Sequence, residues 1–151
     1  MAASLSLRAF TGSGAATMST AQTGLQLISN DALSGVAVSP GSYSYERWFA
    51  LYVDTAPVTG VTNFWFQNEG DLPDGVTIRF GVTDDARTPI NTVSDIATME
   101  LIAGRRYIFD VNTYSNSGDK TRYLVLQEQA LASAASGAIQ QQTPAIGWSE
   151  T

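Results

Sequence analysis

Carboxylates and aromatic rings are the only chemically useful groups that this sequence brings close together. Glu69, Asp71 and Asp74 fall within Asn68–Gly75. Loop oxygens at such density can hold calcium. The spacing matches no calcium-loop pattern, however, and Pro-Asp and Asp-Gly are ordinary turn formers. Asp84-Asp85 invites the same reading with less support. Paired carboxylates also serve glycoside hydrolysis, but nothing in the sequence sets two of them at a working distance. There is no His and no Cys. That removes the commonest general base, the Ser-His triads, imidazole and thiolate metal ligands, disulfides and cysteine nucleophiles. The expectation is a chain with no catalytic residues, no cofactor and no metal site.

The second group is aromatic. Trp48, Trp65, Trp148 and the tyrosines could form a stacking platform for sugars. Trp48 stands beside Phe49, and Trp65 stands between Phe64 and Phe66. A run that is apolar on both faces is either buried on both sides or half covered by another subunit. Core packing, partner contact and sugar stacking therefore all remain open for Trp48 and Trp65.

Charge narrows the partners. The 151 residues carry 8 Lys and Arg against 14 Asp and Glu, a net charge of −6, and only 15% are charged. Lys120 is the sole lysine, and Arg105-Arg106 is the one close cationic pair. Nucleic-acid binding needs clustered cations and is not expected. No apolar run approaches the ~20 residues of a membrane helix. The N-terminus lacks the basic start and apolar core of a secretory signal. So few charges suggest that part of the surface is covered by a partner.

The elements that must position these residues read as strands. Three runs dominate, within Tyr43 to Val82. Phe49, Leu51 and Val53 alternate with Trp48, Ala50 and Tyr52; Val61 to Asn68 follows; then Val76, Ile78, Phe80 and Val82 alternate with Thr77, Arg79 and Gly81. β-branched and aromatic residues fill the runs, and Gly, Pro and Asp fill the gaps. Shorter strands are expected at Leu5–Phe10, Leu25–Ile28, Val36–Val38, Met99–Ile102, Arg105–Val111 and Lys120–Gln129, with an irregular stretch over 87–97. Gln129 to Gln142 reads as a hairpin turning near Ala134–Gly137 into a last strand from Ala138 to Trp148, or else as an alanine-rich helix. About eight to ten short strands with frequent turns indicate an all-β antiparallel β-sandwich, jelly-roll or immunoglobulin-like. The organisation expected is an N-terminal strand and connector over 1–24, followed by a sandwich domain over 25–151. Leu5, Leu7 and Phe10 make the first segment either an edge strand of its own sheet or an arm for a partner.

Glu46 to Asp95 and Arg122 to Glu150 resemble small virion proteins of tailed bacteriophages, the capsid decoration or cement proteins and related head-associated β-sandwiches. The resemblance lies in Arg-Trp-Phe-Ala-Leu-Tyr-Val-Asp, Val-Thr-Asn-Phe-Trp-Phe, Leu-Pro-Asp-Gly-Val-Thr-Ile-Arg-Phe-Gly-Val-Thr, and Tyr-Leu-Val-Leu-Gln with the closing Ile-Gly-Trp-Ser-Glu. It implies a structural protein made in the host cytoplasm that binds the major capsid protein on the outside of the shell, often as a trimer. It supplies no catalytic residues. A carbohydrate-binding sandwich for host attachment is the alternative. Under the first reading, Leu5, Leu7, Phe10, Trp48 and Trp65 are the candidate partner contacts.

Overall fold

The computed structural model describes residues 2–22, 38–56, 59–68, 74–132 and 144–150. Among them are nine strands: β1 (Ser4–Thr11), β2 (Thr17–Met18), β3 (Arg47–Thr55), β4 (Val61–Asn68), β5 (Val76–Thr83), β6 (Met99–Glu100), β7 (Arg106–Asp110), β8 (Tyr123–Ala130) and β9 (Pro144–Glu150). A 3-10 turn at Ser13–Ala15 is the only helical element among the described residues. The protein is an all-β sandwich of two antiparallel sheets. The large sheet has the order β2-β1-β3-β8-β5-β6, and the small sheet the order β7-β4-β9.

Alternation in the sequence sets the layers. Phe49, Leu51 and Val53 of β3, Ile78 and Phe80 of β5, and Leu124 and Leu126 of β8 face inward. They meet Val61, Phe64 and Phe66 of β4 and Phe109 of β7. Strict period two would not turn Val61, Phe64 and Phe66 the same way. Asn63, held at φ 55, breaks the alternation between Val61 and Phe64, and the pairing of β4 with both neighbours shifts register there. Asn is among the few residues that adopt this left-handed conformation readily. Val76 and Val82, in the same stripe as Ile78 and Phe80, are only partly buried.

The pairing is nested: β3 with β8, β4 with β7, and β5 with β6. β8 also lies against β5, so β3 and β5 flank it. Of the two topologies expected, this is the jelly roll, a long hairpin folded over itself. Its innermost pair is missing. The irregular segment 84–98, which joins β5 to β6, takes that place in the chain. This segment lies instead across the outside of the large sheet. There Phe10, Trp48, Ala50, Tyr123 and Val125 form a second buried cluster, covered by Ala15, Ile96 and Ala97. The centre of the large sheet, β3 and β8, is therefore buried on both faces, which is why these two strands are apolar on both.

β1 pairs along its length with β3. The N-terminal run is thus a strand of its own sheet, with β2 outside it. The strands expected at Leu25–Ile28 and Val36–Val38, and the choice between hairpin and helix near Ala134–Gly137, fall mostly or wholly outside the described residues. The last strand occupies Pro144–Glu150.

Candidate functional site

The densest group of polar side chains lies under the 84–98 strap. Glu46 is fully buried. Its carboxylate accepts hydrogen bonds from Ser94 Oγ, from Arg87 Nη2 at 2.7 Å and from the Ile90 amide at 3.3 Å. Arg87 also pairs with Asp95 at 2.6 Å. Gln127, on the outer face of β8, accepts from the Ser94 amide at 2.9 Å and donates to the carbonyls of Thr92 at 2.7 Å and Ser44 at 3.0 Å. Pairing with Arg87 holds the Asp95 carboxyl below its usual range, and the same contacts raise the Arg87 guanidinium. A carboxylate against a serine hydroxyl has the outline of an activated nucleophile. Here Ser94 is buried, and its Oγ also accepts the amides of Ile96 and Ala97. The group ties the strap down.

A second polar group closes one end of the sandwich. Asp110 is buried and accepts from the amides of Asn112 and Arg122 and from the Tyr114 hydroxyl, each at 2.8 Å. Burial first, and then the bond to Asp110, push the Tyr114 phenol up to about 12. Beside it lies an open cleft of ≈ 460 Å³ walled by Asp84, Ile108, Asp110, Val111, Asn112 and Arg122. Arg122 Nε donates to Asp84 at 2.9 Å. Asp110 and Arg122 are thus already engaged within the chain.

Among the described residues, the inner face holds one carboxyl without such support. Glu128 of β8 is fully buried opposite Ile78, and neither of its oxygens has a hydrogen-bond partner. Burial raises its pKa to about 7.

The outer face of the small sheet differs from all of these. Trp65 of β4 stands across from Gly147 of β9. A Cβ at residue 147 would fall inside the indole. Only glycine lets the ring lie flat on β9. Above the ring, 3.7 Å from its centre, sits the guanidinium of Arg106. Ile108, directly across from Trp65 on β7, is 62% exposed, and Val111 just beyond is 67% exposed.

The residues singled out from the sequence separate accordingly. Leu7 is buried in the main core, with Leu5 partly buried against it. Phe10 is buried in the second cluster, edge-on to Tyr123 at 5.2 Å, and Trp48 is buried beside it. Trp65 alone of the five lies on an open sheet face. The three tryptophans occupy three different layers: Trp48 under the strap, Trp148 against the main core, and Trp65 on the small sheet. They do not form a common platform. Glu69 and Asp71 lie outside the described residues, and Asp74 is exposed in a turn. Among the described residues no three acidic side chains gather as a metal site would need.

Sequence reasoning noticed Arg106 only as half of a cationic pair and passed over Gly147. The glycine in Ile-Gly-Trp was the available signal, since glycine inside a strand marks a close approach. No family model matches this chain, and no curated protein or solved structure is significantly similar to it.

Proposed function

We propose that this chain is a structural protein of a tailed-phage virion, a decoration protein that binds the major capsid protein on the outside of the shell. It acts as a homo-oligomer, with a trimer favoured, and has no catalytic role. The resemblance of Glu46 to Asp95 and Arg122 to Glu150 to such proteins names the partner. The observation that carries the reading is the contrast in how polar and apolar groups are placed. The groups that look like a reaction site are buried as supports of the fold, while Trp65, Arg106 and Ile108 stand on an outer face, with Val111 exposed just beyond β7. Such a composition suits a contact between proteins. The jelly roll itself is shared by capsid proteins, lectins and enzymes and decides nothing.

The test is to add purified protein to shells assembled from the major capsid protein of the same genome. Saturable binding, with a higher melting temperature of the shell, is expected. Shells that take up none of it would overturn the reading.

A further inference from the structure

We infer that the outer face of the small sheet, with Arg106 at its centre and Ile108 beside it, is the surface that meets the partner, and that the partner offers it a carboxylate set among apolar side chains. The inference rests on the decoration reading, under which that partner is the capsid shell.

Gly147 lets Trp65 lie flat, and Trp65 fixes the guanidinium at 3.7 Å. Stacking engages the face of a guanidinium and leaves its N–H donors available. Among the described residues, the Arg106 side chain has no hydrogen bond and no ion pair beyond its stack on Trp65. This is notable in a chain of net charge −6, which has carboxylates to spare. Arg8, Arg87 and Arg122 have carboxylate partners, whereas among the described residues the Arg106 side chain has only the indole and the Arg105 side chain only the Tyr107 ring. A guanidinium already fixed in place loses little freedom when it takes a carboxylate through two parallel bonds. Ile108 and Val111 supply the apolar flank, at 62% and 67% exposure. Arginine and tryptophan are among the residues that dominate binding energy at protein interfaces. A nucleic acid is the poorer fit, since the phosphate backbone asks for many cations.

The experiment measures co-sedimentation with shells for the wild type, Arg106→Glu, Arg106→Lys and Ile108→Asp. Val93→Asp serves as the control, because Val93 is 55% exposed on the strap covering the other sheet. Sedimentation velocity and thermal melting accompany each variant. Arg106→Glu and Ile108→Asp should weaken binding about tenfold or more, with the melting temperature nearly unchanged. Arg106→Lys should also weaken it, because an ammonium cannot bind a carboxylate through two parallel bonds. Val93→Asp should bind as the wild type does. If both small-sheet variants bind like the wild type, or if Val93→Asp is as harmful as Arg106→Glu, the assignment of this face is overturned while the decoration reading stands. If Arg106→Glu loses only self-association and still binds shells fully, the face joins copies of this chain and the shell assignment is overturned. If the wild type itself binds no shells, the decoration reading falls and the inference falls with it.

Discussion

On the outside of the large sheet, Trp48 lies beneath a strap of its own chain, tied down by Glu46, Ser94, Arg87 and Gln127. On the outside of the small sheet, Trp65 lies beneath a single arginine. Both tryptophans sit in runs that are apolar on both sides, so local pattern alone does not separate them. The difference lies in where the 84–98 segment goes. In a full jelly roll that part of the chain would form the innermost strand pair. Here it crosses the large sheet, covers the outer side of its central strands, and leaves the small sheet with one open face. A face covered from within the chain should matter for stability, and the open face for binding.

The largest expected effect is at the buried anchor of the strap. Glu46→Ala removes the carboxylate that Arg87 and Ser94 share and leaves the Ser94 hydroxyl and the Ile90 amide without their acceptor, so it should destabilise the protein by about 2–4 kcal/mol in denaturant titration. A loss of only a few tenths of a kcal/mol would mean that the strap is held by apolar contacts alone.

The next effect belongs to the interior that both sheets share. The carboxyl of Glu128, raised from 4.5 to about 7, keeps its proton in the folded chain while the unfolded chain loses it. Its contribution to stability is full below about pH 4.5, declines as pH rises, and is lost above about pH 7. Melting temperature should therefore fall between pH 5 and pH 8, by an amount worth at most about 3 kcal/mol. Asp95, whose carboxyl is lowered, contributes in the opposite direction, but only below its unfolded value of 3.8. Glu128→Gln should flatten the profile and stabilise the protein at pH 8. An unchanged slope in that variant would clear Glu128.

Two glycines then compare the faces directly. A Cβ at Gly81 would strike the Ile96 carbonyl, which is backbone, whereas one at Gly147 would strike the Trp65 side chain. Gly81→Ala must lift the strap and should cost about 1–3 kcal/mol. Gly147→Ala can be relieved by swinging the indole aside, so it should cost less and show itself as a change in Trp65 fluorescence. Equal losses would remove the distinction between a fixed cover and an open face. The smallest effect on stability is expected at Arg106. Arg106→Glu should stay within about 0.5 kcal/mol of the wild type, as exposed substitutions usually do.

Much of this was legible in the residues themselves. Period-two alternation placed Phe49, Leu51, Val53, Ile78 and Phe80 on inner faces, because a strand's side chains must alternate and water excludes the apolar set. The lack of His and Cys ruled out whole classes of chemistry without any coordinates. The charge count argued against a nucleic-acid surface in the same way. What only the tertiary structure decided is which apolar faces are covered, and by what. Phe10 and Trp48 read as possible contacts and are core, because a segment some forty residues further along the chain than Trp48 folds back over them. Glu46 and Ser94 are far apart in sequence and meet only through that crossing. Gly147 and Arg106 likewise act on Trp65 from two neighbouring strands, through a register set by the sheet. Local pattern fixes the direction of a side chain relative to its strand. Its neighbours come from pairings across long stretches of chain, and those pairings are settled by the packing of the whole molecule.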